Sequence, residues 1–288
     1  MSQVSPHSAV RITLPSRYGP LDALRREVSA DAPIALLVPG YTASKEDFVD
    51  LLDPIAAGGF EPIAINLPGQ YETEGPADPA LYLPPSLGAM VAEIAGKLAA
   101  DGRPVLLLGH SYGGLVARAA TLADAPIRGL TLLSTGPHEL PDGPRRQMLT
   151  MAEQVLASHG MPALVKLREL LDEQNELWQR NPANLKAFFH ARFRQTNEAN
   201  LVGMAQGLRE EPDLVDALAR KLESTAIPCL VACGANDDAW PVPTQRDMAK
   251  RLDADFAVIP NAVHSPTTEN PTALAALLVA TWRSWLNP

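Results

Sequence analysis

The stretch VLLLGHSYGGLVARAA, residues 105–120, decides the fold, because a glycine-rich turn joins an apolar run to a helical pattern. The run at 105–108 is typical of a strand buried on both faces. The pentapeptide GHSYG, 109–113, fits Gly-x-Ser-x-Gly, in which a sharp strand-to-helix turn exposes the serine hydroxyl at the carboxyl end of a sheet. A Cβ atom would clash where the backbone doubles back, so glycine is required there. Ser111 is the predicted nucleophile, and an incidental glycine-rich turn is the alternative.

Short apolar runs alternate with helical patterns along most of the chain. This alternation is the signature of strand–helix units around a mostly parallel sheet. The sequence therefore predicts an α/β fold, a mostly parallel central sheet flanked by helices. The predicted strands are 10–14, at an edge, and 34–38, 62–66, 105–108, 129–134, 228–233 and 255–259, with helices at 48–57, 87–100, 113–122, 244–252 and 272–286.

One long segment, 137–224, breaks the alternation, because it contains helical patterns but no convincing strand. We interpret it as a helical cap inserted into a core formed by 1–136 and 225–288. The large apolar side chains of the cap could line an apolar acyl or alkyl pocket. Helical spacing turns apolar residues inward, however, so most of them are expected to fill the core of the cap. These side chains are Met148, Met151, Trp178, Phe188, Phe189, Phe193 and Met204.

Composition excludes several classes of protein. With 46% hydrophobic and 20% charged residues, the 288-residue chain has ordinary globular usage. The net charge of −9 disfavours a nucleic-acid partner and attraction to an anionic membrane. Apolar runs are far shorter than the roughly 20 residues of a membrane-spanning helix. Cys229 and Cys233 lie too far apart along one predicted strand to form a disulfide. Since no disulfide framework indicates secretion, a cytoplasmic protein is expected. Its expected partner is a small-molecule substrate.

A serine hydroxyl needs a base to take its proton and a carboxylate to orient that base. His264 lies in PNAVHSP, 260–266, a polar loop between the last predicted strand and the last helix. That loop emerges at the same edge of the sheet as Ser111, which makes His264 the predicted base rather than a merely solvated histidine. Of the other histidines, His7 lies in the N-terminal tail. His110 lies inside the strand-to-helix turn, and its ring is expected to point under that turn. The remaining three lie in the cap: His138, His159 and His190.

The acid is expected at another strand end, between Ser111 and His264 in the chain. The predicted strand 228–233 leads into GANDD, 234–238, where either aspartate could orient the imidazole. Asp237 has the better position, two residues after Ala235 in the turn. Asp238 is the alternative, and a simple helix cap or solvated turn is the other interpretation.

Four segments together resemble the α/β-hydrolase fold family with a helical cap: PGY at 39–41, GHSYGG at 109–114, GAND at 234–237 and VHSP at 263–266. The resemblance implies a catalytic triad of Ser111, His264 and Asp237. It also implies an oxyanion hole formed by the backbone N–H groups of Tyr41 and Tyr112.

The oxyanion assignment also has a physical reason, since a tetrahedral intermediate needs two aimed N–H groups. The N–H of Tyr112 follows the nucleophile at a helix N-terminus, which favours negative charge. Relatives often carry His-Gly where this chain has Pro39-Gly40, so a histidine side chain is lost but the Tyr41 donor is kept. Gln70 and Tyr71 leave the next strand at the same edge, where a solvated loop is expected.

These residues favour a serine hydrolase that acts on an ester-like or thioester-like acyl substrate. A carbon–carbon bond hydrolase with the same triad and a non-catalytic small-molecule receptor are the alternatives. Epoxide and haloalkane hydrolysis are disfavoured, because those reactions use a carboxylate where this chain has Ser111. The sequence lacks the spacings of zinc sites, phosphate-binding loops and dinucleotide-binding loops, so neither a metal nor a cofactor is expected.

Overall fold

A computed structural model of the chain describes residues 3–286, apart from the side chain at position 177. Within them, helices flank an eight-stranded sheet, with 3₁₀ turns at Lys45–Phe48 and Pro79–Tyr82. The strands are β1 (Val10–Ser16), β2 (Gly19–Arg25), β3 (Ile34–Val38), β4 (Glu61–Ile65), β5 (Val105–His110), β6 (Gly129–Leu133), β7 (Cys229–Gly234) and β8 (Asp255–Ile259). The helices are α1 (Val49–Ala57), α2 (Pro84–Leu98), α3 (Tyr112–Leu122), α4 (Pro144–Gln174), α5 (Glu176–Gln179), α6 (Ala183–Gln195), α7 (Glu198–Glu210), α8 (Val215–Thr225), α9 (Val242–Arg251), α10 (Pro266–Glu269) and α11 (Pro271–Leu286).

The strand order is β1-β2-β4-β3-β5-β6-β7-β8, and the strands from β4 to β8 run parallel to one another. Strand β2 pairs antiparallel with both β1 and β4. The fold class predicted from the sequence is confirmed, and each predicted strand corresponds to an observed one. Because parallel strands end at the same edge, the segments after β5, β7 and β8 meet there. Ser111, Asp237 and His264 all lie in those segments.

Each face of the sheet is covered by its own apolar layer. One layer joins α1 and α11 to the sheet, and its centre is Trp282, whose indole N–H donates a 3.0 Å hydrogen bond to the hydroxyl of Thr131 on β6. The opposite layer contains α2, α3, α8 and α9. These two layers fix the sheet and therefore the positions of its strand ends.

The five helices α4 to α8 lie between β6 and β7, and the long helical region fits a cap. Helix α4 is kinked at Gly160, where φ is +73°, and Pro162 follows. Helix α8 contributes apolar side chains to the layer shared with α2 and α3, so its contacts are with the core. The bounds 137–224 for the cap stay a prediction.

Two further expectations concern the whole chain. Within residues 3–286, no helix is both long enough and apolar enough to cross a bilayer. Cys229 and Cys233 are buried and free, as their spacing along one strand predicts.

A buried ion pair fastens the two ends of the helical region to the core. Arg118 of α3 places Nη2 2.7 Å from Oε1 of Glu211, while Nη1 donates to the carbonyl of Pro137 at 2.5 Å. The backbone of Glu211 in turn accepts the N–H of Glu139 at 2.8 Å. Burial lowers the pKa of Arg118 and raises the pKa of Glu211, against the attraction between the two charges. Burying the pair is therefore costly, and each charge depends on its partner.

We expect Arg118→Met to lower the free energy of unfolding by about 3–5 kcal/mol, because it leaves Glu211 buried without a counter-charge. The double variant Arg118→Met/Glu211→Leu removes both charges and is expected to recover most of that loss. Urea denaturation of the three proteins measures both effects. Equal stability of wild type and the single variant would contradict the role given to the pair.

Candidate active site

The turn between β5 and α3 holds Ser111 in a strained conformation. Its φ and ψ are +55° and −120°, a region that non-glycine residues rarely adopt and that costs of order 1–3 kcal/mol. A Cβ atom on Gly109 would lie 2.1 Å from the carbonyl oxygen of Gly113, and one on Gly113 would lie 2.3 Å from that of Val38. The N–H of Ser111 is held by the carbonyl of Leu133 at 2.8 Å. The turn therefore requires both glycines and presents the serine hydroxyl at the sheet edge.

The three residues predicted as a triad form one hydrogen-bonded chain. Nε2 of His264 lies 2.9 Å from Oγ of Ser111, and Nδ1 of His264 lies 3.0 Å from Oδ1 of Asp237. All three residues are almost fully buried. Because a carboxylate only accepts, the proton of the neutral ring lies on Nδ1, which leaves Nε2 free to accept the proton of Ser111.

The carboxylate of Asp237 is held by more than the histidine. Its Oδ1 accepts the N–H of Ala239 at 3.0 Å, and its Oδ2 accepts Nε2–H of Gln245, also at 3.0 Å. Burial raises the pKa of Asp237, but His264 and these two donors outweigh burial and hold the pKa below its ordinary value. Asp238 is exposed and pairs with Arg145 at 2.6 Å. Asp237 is therefore the aspartate placed to orient the imidazole.

Asp237, Asp238 and His264 also bring their ligand atoms within 4.8 Å of one another, a spacing that could hold a metal ion. Each residue already has a partner: Asp237 is bound by His264, Ala239 and Gln245, and Asp238 is bound by Arg145. A metal ion would have to displace these contacts.

The turn that carries Tyr41 packs against Ser111. A Cβ atom on Gly40 would lie 3.0 Å from Cβ of Ser111, so the two segments are in close contact. The backbone N–H of Tyr41 has no acceptor among the described residues. Tyr112 is the first residue of α3, where an N–H has no partner within the helix. Both predicted oxyanion donors are thus free to bind a ligand.

Gln70 holds the Tyr41 turn in place. It is fully buried, its Nε2–H donates to the carbonyl of Gly40 at 2.7 Å, and its Oε1 accepts the N–H of Leu67 at 2.9 Å. The expectation of a solvated loop at Gln70 is wrong. The sequence shows a polar residue after a strand, and only the tertiary structure reveals which carbonyl it binds.

His110 reaches across to the loop of the predicted base. Its Nε2–H donates to the carbonyl of His264 at 2.8 Å, while its Nδ1 is buried without a hydrogen-bond partner. A carbonyl only accepts, so the ring is neutral with its proton on Nε2. Burial, followed by the nearness of His264, lowers the pKa of His110 to about 4. This ring joins the nucleophile turn to the loop of His264.

An apolar cavity of about 480 Å³ opens above Ser111. Trp240 forms part of its wall, anchored by its indole N–H, which lies 3.2 Å from the carbonyls of His138 and Glu139. Four of the seven large cap residues expected to fill mainly the cap core line the cavity instead, so that expectation is largely wrong. They are Met148, Met151, Phe189 and Phe193, whereas Met204 lies in the main apolar layer.

The buried neutral ring of His110 predicts a pH dependence of stability. Below about pH 6.5 the unfolded chain binds a proton at this histidine that the folded protein excludes until about pH 4. The free energy of unfolding should therefore fall across that window, by about 3 kcal/mol in total. The variant His110→Gln keeps a donor for the carbonyl of His264 but does not titrate.

Urea denaturation of wild type and His110→Gln between pH 7.5 and pH 4 isolates this contribution, because the carboxylates titrate in both proteins. Wild type should lose more stability than the variant as the pH falls. Parallel pH profiles would show that His110 is not held neutral.

The chain matches the family described as "Alpha/beta hydrolase family" over residues 35–277. No curated protein is significantly similar to it in sequence. The solved structures that it resembles in fold include a thermophilic esterase from Thermogutta terrifontis, with a TM-score of 0.73 and 22% identity over 96% of this chain and 99% of that chain. They also include an enol-lactonase from Burkholderia xenovorans LB400, with a TM-score of 0.67 and 18% identity over 93% and 97% of the two chains. A thioesterase domain from the curacin biosynthetic pathway has a TM-score of 0.66 and 17% identity over 95% and 100%.

At these identities the solved structures show the fold alone, whereas the family match spans most of the chain and includes the nucleophile turn and the histidine loop. The chain belongs to the alpha/beta hydrolase family.

Proposed function

We propose that the protein is a serine hydrolase that cleaves an ester-like or thioester-like acyl substrate through an acyl-enzyme on Ser111. The observation that carries this proposal is the hydrogen-bonded chain from Ser111 through His264 to Asp237 at the base of an apolar cavity. A serine hydroxyl activated in this way attacks the carbon atom of a carbonyl group.

In the first step, Nε2 of His264 takes the proton of Ser111 while the serine oxygen bonds to the substrate carbonyl. Asp237 stabilises the imidazolium that forms, through the hydrogen bond to Nδ1. The imidazolium then gives its proton to the leaving oxygen or sulfur, and the carbonyl re-forms as the acyl-enzyme. In the second step, His264 takes a proton from water, and the resulting attack releases the acid and frees Ser111.

The negative oxygen of each tetrahedral intermediate would be held by the N–H groups of Tyr41 and Tyr112. Loss of one such donor typically raises the barrier by about 2.7–4 kcal/mol. The close contact between Gly40 and Ser111, and the hydrogen bond from Gln70 to Gly40, support a preorganised donor at Tyr41. Preorganisation matters because the donors then need not move as charge develops.

The cavity supports a substrate with an apolar portion. Its wall beside the serine is built largely from aliphatic and aromatic side chains. The similar folds are described as an esterase, a thioesterase domain and an enol-lactonase, all of which act on an activated acyl group. These likenesses agree with acyl transfer.

A fluorophosphonate probe followed by intact-mass measurement tests the proposal. We expect one covalent adduct in wild type, on Ser111, and none in Ser111→Ala. Turnover of p-nitrophenyl esters from acetate to octanoate should fall by about 10⁴-fold or more in Ser111→Ala, because the triad acts as a unit. The matched control is Ser224→Ala, which removes an exposed serine hydroxyl on α8 and should leave labelling and turnover at wild-type levels.

Absence of both labelling and ester turnover in a folded wild-type protein would contradict the acyl-enzyme proposal. A small molecule that raises the melting temperature without being cleaved would then favour a receptor.

A further inference from the structure

The side chain of Tyr41 leaves the nucleophile region and extends into the helical region. It lines the cavity and packs against an apolar cluster formed by Leu156, Leu164 and Leu201. Its backbone N–H faces the chemistry at Ser111, so one residue connects the reacting carbonyl to the apolar wall above it.

The hydroxyl of Tyr41 has no hydrogen-bond partner among the described residues. It is also not one of the polar atoms that are sealed from solvent without a partner, and Tyr41 is one of the residues that line the cavity. Polar groups enclosed by protein are normally paired, because an unpaired group loses its hydrogen bonds to water. This hydroxyl is therefore available to a bound molecule.

The arginines on the same wall are already paired. Arg168 binds Asp172 at 3.0 Å, Arg192 binds Asp47 at 2.9 Å and Arg145 binds Asp238 at 2.6 Å. Their positive charges are thus already compensated by protein carboxylates. The free polar contact that Tyr41 offers is a neutral one.

The phenol of Tyr41 keeps its proton at ordinary pH, so it can donate a hydrogen bond. Burial raises the pKa of Tyr41, while the positive charges of Arg209 and Arg168 act in the opposite direction without cancelling the effect of burial. The hydroxyl therefore keeps its proton. The two nearby guanidinium groups also favour an electron-rich atom as its partner.

The backbone after Tyr41 is strained. Thr42 has a φ of +54°, in the left-handed region that a β-branched residue rarely adopts. Such outliers persist only where the surrounding structure fixes them, and they cluster at functional sites. The hydrogen bond from Gln70 to the carbonyl of Gly40 fixes the residue before Tyr41. The turn therefore sets the direction of the Tyr41 side chain.

The proposed mechanism places the leaving group and the acyl chain on different sides of the serine. The leaving atom must lie beside Nε2 of His264, which gives it a proton. The ring of His264 lies beside Trp240, with 6.5 Å between ring centroids. With the leaving group on that side, the part of the cavity lined by Tyr41 is left for the acyl chain.

We propose that the hydroxyl of Tyr41 binds an oxygen atom carried on the acyl chain, so that the preferred substrates are esters or thioesters of oxo acids or other chain-oxygenated acids rather than of plain fatty acids. This inference rests on the proposed function, because it takes Ser111 as the acylated residue. It adds a point of polar recognition beside the aliphatic and aromatic side chains of the wall.

The test compares two esters of equal chain length, p-nitrophenyl hexanoate and p-nitrophenyl 5-oxohexanoate. Wild type should have the higher kcat/KM for the 5-oxo ester. Tyr41→Phe should lower the ratio of the two kcat/KM values by about fivefold to tenfold, the range expected for one neutral hydrogen bond. A change in this ratio reports recognition of the oxygen, since a general loss of catalysis affects both esters.

Two control variants sharpen the result. Tyr18→Phe removes a phenol hydroxyl on the turn between β1 and β2 and should keep the wild-type ratio. Thr42→Val removes the neighbouring hydroxyl on the cavity wall and should not reproduce the effect of Tyr41→Phe. An unchanged ratio in Tyr41→Phe, or a loss confined to Thr42→Val, would overturn the assignment to Tyr41.

The proposed function fails separately. If wild type is not labelled by the fluorophosphonate and hydrolyses neither ester, the acyl-enzyme is wrong. If wild type is labelled and hydrolyses hexanoate, but shows no preference for the 5-oxo ester, only the inference about Tyr41 is wrong.

Discussion

The close approach of backbone to backbone at the β5–α3 turn is the constraint on which the site depends. Gly109 faces the carbonyl of Gly113 so closely that any side chain would occupy the same space. The turn forces Ser111 into a conformation with positive φ, which β6 stabilises because the carbonyl of Leu133 accepts the N–H of Ser111. A serine on a relaxed helix would turn into the helix surface, whereas this one projects from the end of the sheet.

A sharp turn alone does not position a base. His264 and Asp237 lie in the loops after β8 and β7, and a loop lacks the regular backbone hydrogen bonds of a strand. Buried side-chain hydrogen bonds fix these loops instead. His110 donates to the carbonyl of His264, and Gln245 donates to the carboxylate of Asp237. Each of these donors is buried, so the alternative to its bond is an unpaired polar group, and the bond therefore persists.

Sequence patterns predict those parts of the fold and the site that depend on local residue preferences and on the order of the strands. Apolar runs and turn residues predict the buried strands, the strand-to-helix turn at Ser111 and the loop of His264. Strand β2, with sequence GPLDALR, has weak strand preference and forms because β1 and β4 lie on either side of it. The role of Gln70 depends on a carbonyl 30 residues earlier in the chain, a relation that no local pattern contains. The pocket-lining role of Phe189 was missed for a similar reason, because helical spacing shows an inward face but not what that face meets.

The charged side chains around the cavity are largely paired with one another. Two carboxylates beside the cavity, Asp47 and Asp172, are engaged by arginines. The pair between Arg192 and Asp47 also fastens α6 to the core, which helps the wall to keep its shape. Within such a wall the unpaired hydroxyl of Tyr41 offers a hydrogen bond that its apolar neighbours cannot supply. In the proposed function, the core supplies a reaction common to many acyl groups, and we assign the choice among those groups to the hydroxyl of Tyr41.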